Sequence, residues 1–159
     1  MRNSSAAKGR ALALLLVFLG VVGFVPSVAH AASAQTVLRA TLSGAQAVPT
    51  GDPDGGGEAI VVVRPDNLVC FRIIATRIES ILAIHIHEAP PGQKGPHAVD
   101  LDGRLVTMGG GDQVFVGCVD GGAKASELAA SPTGYYVNVH TDAYIAGALR
   151  GQLARLGGT

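Results

Sequence analysis

Ala83-Ile84-His85-Ile86-His87 alternates apolar and imidazole side chains one for one. Successive side chains of an extended strand point to opposite faces, so His85 and His87 share one face and Ile84 and Ile86 the other. Tyr135-Tyr136-Val137-Asn138-Val139-His140-Thr141 divides the same way, with Tyr136, Asn138 and His140 opposite Tyr135, Val137 and Val139. The two segments predict half-buried strands, and together they offer three imidazoles on a rigid scaffold.

The rest of the chain reads in the same period. Thr36 to Ser43 alternates and predicts a strand. Gly44 to Gly57 holds five glycines and two prolines, which predicts a long surface loop. Glu58 to Val63 and Leu68 to Thr76 are strands separated by the turn Arg64-Pro65-Asp66-Asn67. Pro90 to Pro96 is a loop, Ala98 to Leu101 and Leu105 to Met108 are short apolar segments, and Gln113 to Val119 is a strand. Ala123 to Ala130 is the one helical stretch, stopped by Ser131-Pro132. Gly134 to Thr141 and Ala148 to Leu156 are the last strands. The chain has no Trp and few aromatic residues, so its core is aliphatic. About eight short strands with Gly/Pro turns and one short helix predict an all-β fold: an antiparallel, Greek-key-like β-sandwich.

The first 31 residues are expected to lie outside that domain. Arg2, Lys8 and Arg10 precede an apolar run of 15 residues, Ala11 to Val25, and Ala29-His30-Ala31 supplies small residues at a cleavage position. This is the pattern of a secretory signal peptide, with cleavage expected after Ala31. The run is short for a membrane span, which needs about 20 apolar residues, so no stable span is expected after cleavage. Residues 32–36 form a short lead and 157–159 a tail. Removing Arg2, Lys8 and Arg10 leaves 9 basic against 12 acidic residues, a net charge of −3. No basic stripe remains, which argues against nucleic acid as a partner.

An exported chain with two cysteines, Cys70 and Cys118, is expected to form a disulfide. The two should lie on neighbouring strands with Cα atoms about 4.4–6.8 Å apart. Neither has a Cys or His at the spacing of a Cys-based metal site.

Five elements in order resemble the CHRD domain, named from chordin and common as a single secreted domain in bacteria. They are Leu42-Ser43-Gly44 with Val48-Pro49, Ala83-Ile84-His85-Ile86-His87, Gly95-Pro96, the Tyr135 to Thr141 segment, and Gly147-Ala148-Leu149-Arg150-Gly151-Gln152-Leu153. Val69-Cys70-Phe71 and Gly117-Cys118-Val119 are similar to the cysteine pair of bacterial members. The likeness spans about residues 37–156. It implies a secreted module that binds an extracellular protein or an envelope component, without catalysis. The sequence departs from the family pattern at His97, where an aliphatic residue usually follows Gly-Pro.

Two readings of the histidines stay open. In one, His85, His87 and His140, with His97, hold a copper or zinc ion, and redox activity is then open to the protein. The order His-x-His, Gly-Pro-His, Val-His is similar to copper-zinc superoxide dismutases, which share a β-sandwich architecture, although the spacings differ. In the other, His85, His87, Glu88, Asn138, His140 and Arg150 form a hydrogen-bonded polar network that holds the following loop. Asp52-Pro53-Asp54-Gly55 and Asp100-Leu101-Asp102-Gly103 lack the glutamate of a calcium loop and read as solvated turns. Tyr135 and Tyr136 are expected to be one core and one surface aromatic.

Overall fold

A computed structural model describes residues 34–107 and 111–157. The expected signal peptide, residues 1–31, lies outside the described residues. Ten strands pair into one antiparallel sheet: β1 (Thr36–Ser43), β2 (Gly56–Val63), β3 (Leu68–Thr76), β4 (Ile81–Glu88), β5 (His97–Asp100), β6 (Arg104–Thr107), β7 (Gln113–Asp120), β8 (Tyr135–Thr141), β9 (Leu149–Gln152) and β10 (Ala154–Arg155). The order across the sheet is β5-β4-β8-β9-β1-β2-β3-β7-β6, with β10 also paired to β1. Hairpin neighbours are thus joined by three long-range pairings, β4 with β8, β9 with β1 and β3 with β7. The all-β, antiparallel expectation holds, and the one α-helix among the described residues, α1 (Gly122–Ala130), falls where the sequence placed it.

The two edges of the sheet, β5 and β6, are joined by only Leu101 to Gly103. Four residue steps reach at most about 14 Å, so the edges lie close and the sheet must curl on itself. Leu101 ties the start of this link to β4: its N–H donates to the Ile84 carbonyl at 3.1 Å, and its side chain joins the core. The curl encloses one core built from alternate residues of the strands: Leu38, Ala40 and Leu42 of β1, Val61 of β2, Ile73 of β3, Ile84 and Ile86 of β4, and Val137 and Val139 of β8. Ala125 and Leu128 of α1 cover one end. The core is aliphatic as the composition predicts, with Phe71 and Tyr135 added.

Local chemistry fixes the turns. Between β2 and β3 the Arg64 N–H donates to the Leu68 carbonyl at 2.9 Å, and Asn67 takes a positive φ of 66°, which asparagine tolerates. Cys70 and Cys118 are directly opposed in the β3–β7 register and form a disulfide. Their Cα atoms are 3.9 Å apart, below the expected range.

Candidate metal centre

The register of four strands assembles the site. Residues directly opposite in a ladder project from the same face of the sheet. His85 opposes Asn138 and His87 opposes Tyr136 across β4–β8. Asn138 in turn opposes Arg150, and Tyr136 opposes Gln152, across β8–β9. On the other side, His85 opposes Asp100 and His87 opposes His97 across β4–β5. His140, Asn138, Tyr136, His85, His87, His97, Asp100, Arg150 and Gln152 therefore crowd one face, away from the core. Despite lying on the outer face, His87, Asn138, His140 and Arg150 are buried. The loops that follow β4 and β8 fold over them.

Those loops also fix the imidazoles. His140 Nδ1 lies 2.8 Å from the Ile145 carbonyl, and His87 Nδ1 lies 3.0 Å from the Gly95 carbonyl. A carbonyl only accepts, so both rings carry their proton on Nδ1 and present a bare Nε2 lone pair. His140 Nε2 receives Asn138 Nδ2 at 3.2 Å and faces His85 Nδ1 at 3.2 Å. His87 Nε2 is buried with no hydrogen-bond partner among the described residues. The His87 side chain lines a small pocket of about 120 Å³ together with Asn138, His140 and Arg150.

Two glycines permit this closeness. A side chain at Gly95 would collide with the Glu88 carbonyl, so only glycine lets its own carbonyl approach His87. Gly147 has a φ of 130° and rests against the Asn138 amide, where a Cβ would collide.

Burial favours the neutral form of three of the imidazoles. Burial, helped by the neighbouring His97 and His140, lowers the His85 pKa to about 4. Burial also lowers those of His87 and His140, against the opposing pull of their carbonyl partners. Neutral imidazoles are the form that binds metal.

One nitrogen from each of His85, His87 and His140 lies within 4.8 Å of one from each of the others. Bonds of 2.0–2.1 Å in a tetrahedral zinc site place neighbouring nitrogens about 3.3–3.4 Å apart. The 3.2 Å separation of His85 Nδ1 and His140 Nε2 is close to that spacing. The carbonyls of Gly95 and Ile145, which hold the far nitrogens of His87 and His140, are the usual outer support of histidine ligands.

His97 does not join this triangle. Its ring stacks on His85, with centroids 4.0 Å apart, and its Nδ1 turns to Asp100 Oδ1 at 3.2 Å. Glu88 stands apart from the polar network, since its exposed carboxylate takes Lys124 Nζ at 2.8 Å. Arg150 belongs to the network. Its Nη1 donates to the Gln93 carbonyl at 2.6 Å and its Nη2 to Pro90 at 2.9 Å, and its guanidinium lies 3.5 Å over the Tyr136 ring.

Sequence reasoning missed Tyr136, Gln152 and Asp100. Tyr136 is not a surface aromatic: it is 3% exposed, stacked beneath His87 at 5.0 Å between centroids. Gln152 donates to the carbonyls of Ala89 and Thr133 at 2.9 and 2.8 Å. The signal for both was period two, which places them on the histidine face. Asp100 was read as part of a solvated turn, and only the β4–β5 register brings it to His85.

None of the helices among the described residues is long and apolar enough to cross a membrane. No curated protein and no solved structure matches the chain. The model of the CHRD domain matches residues 38–153, a span that contains the histidine face and both cysteines. That family and the disulfide point to an extracellular binding role. The chain belongs to the CHRD domain family.

Proposed function

We propose that the chain is an exported, non-catalytic binding module whose ligand-holding element is the three-histidine site, and that the ion held there is copper or zinc. The observation that carries this reading is His87 Nε2. It is a lone pair with its tautomer fixed by Gly95, buried, and unpartnered among the described residues. Leaving a buried acceptor unmade costs about 1–3 kcal/mol, which a bound cation removes. Three neutral nitrogens with no carboxylate among them suit copper or zinc better than iron. An ion so held can brace the module against a protein or envelope component outside the cell, and with copper it opens redox chemistry.

The test is elemental analysis of protein purified from an oxidising compartment and dialysed against buffer. The reading expects close to one copper or zinc per chain, lost in His87→Ala and in His140→Ala. Metal content unchanged in both variants, or absent from the unaltered protein, contradicts it.

A second reading has its own observation. His87, Arg150 and Gln152 together bond the carbonyls of Ala89, Pro90, Gln93 and Gly95. In that reading the face is a staple for the loop after β4, and it needs no ion. The staple predicts that the loop is ordered equally with and without metal.

A further inference from the structure

His85 is common to two donor groups. His85, His87 and His140 form one, and His85, His97 and Asp100 form the other, with one atom of each residue within 4.8 Å of the rest of its group. The two ring nitrogens serve different groups. Nδ1 faces His140 Nε2 at 3.2 Å, whereas Nε2 faces Asp100 Oδ1 at 3.9 Å. His97 stacks on His85 with 28° between planes, and one nitrogen of each ring lies within 4.8 Å of the other. His97 Nδ1 lies 3.2 Å from the same Asp100 oxygen. These separations bracket the donor spacing of a tetrahedral site, about 3.3–3.4 Å for zinc. The second group is no accident of a mobile tail, because the β4–β5 register seats Asp100 opposite His85 and His97 opposite His87.

We propose that the His85 imidazole bridges two transition-metal ions: a buried one shared with His87 and His140 on Nδ1, and an exposed one shared with His97 and Asp100 on Nε2. This deepens the three-histidine reading and rests on it. A neutral imidazole keeps one N–H. As the second ion binds, that N–H bond breaks, the proton leaves to water, and a metal–nitrogen bond takes its place. The resulting anionic ring and the Asp100 carboxylate offset part of the charge of two cations. Asp100 and His97 are both more than half exposed, so water completes the outer ion's coordination.

The proposal is tested by titrating the metal-free protein with cupric ion, counting bound copper after desalting, and integrating the paramagnetic resonance signal. The expected result is two copper ions per chain with less than half the signal that uncoupled copper would give, because the shared ring couples the two. His97→Ala and Asp100→Asn should each reduce the count to one and restore the full signal per copper. Both positions are exposed, and matching thermal unfolding of the metal-free variants checks that they fold. One copper per chain, lost in His87→Ala or His140→Ala but kept in Asp100→Asn, overturns the bridge and leaves the three-histidine site standing. Two coppers with full signal also overturn the bridge. No bound copper overturns both.

Discussion

His85 shows how burial decides the state of a single side chain on this face. In an unfolded chain a histidine takes up a proton near pH 6.5, whereas in the fold His85 does so only near pH 4. Between those values the unfolded state holds more protons, so stability falls as pH is lowered through the window. The metal-free protein should therefore lose thermal stability from pH 6.5 toward 4 and lose little between pH 8 and 7. His85→Gln should lose less than the unaltered chain between pH 6.5 and 5, and equal losses would contradict a neutral buried cluster. At this scale the alternation of Ala83 to His87 was legible, and so was the pairing of Asn138 with His140. The carbonyls of Gly95 and Ile145 that set the tautomers were not, because backbone acceptors on loops leave no mark in side-chain pattern. Asp100 was hidden for a related reason: its partner is chosen by strand register, not by sequence spacing.

Strands β4, β8 and β9 and the loop Ala89–Gln93 act as one unit, and Arg150 is its fastening. Truncating Arg150→Ala removes two charge-assisted bonds to carbonyls and the contact with Tyr136. Such a loss is worth about 2–4 kcal/mol. It should appear in denaturant unfolding, together with faster amide exchange over residues 89–95. Arg150→Lys should not restore the protection, since an ammonium cannot serve both carbonyls from the guanidinium's fixed plane. Unchanged exchange in Arg150→Ala would show that the loop holds itself. Farther along the sheet, the bridge from β3 to β7 closes 48 residues, so the Cys70→Ser, Cys118→Ser pair should lower stability by about 3–4 kcal/mol. A loss below about 1 kcal/mol would contradict a stabilisation set by loop closure in the unfolded chain.

For the whole molecule, strand existence was legible because every core strand except the short edge pieces keeps period two. The curl was not legible. It follows from the edges β5 and β6 being linked by three residues, of which Leu101 is buried in the core. Two loops held by His87, His140, Arg150 and Gln152 lie over an outer sheet face and bury imidazoles there. A ligand bound to the fold and not to the unfolded chain stabilises by mass action, about 2.7 kcal/mol at a hundredfold excess over Kd. Zinc should raise the unfolding temperature of the unaltered protein and leave that of His87→Ala/His140→Ala unmoved, as scanning calorimetry would read it.

The central claim, that His85, His87 and His140 turn their nitrogens to one ion, is met most directly by X-ray absorption at the zinc edge of protein loaded with one equivalent. The account predicts a first shell at about 2.0–2.1 Å and the outer-shell scattering of three imidazole rings, cut to two rings or fewer in His140→Ala. A shell of oxygen donors without ring scattering, unchanged by that substitution, would contradict it.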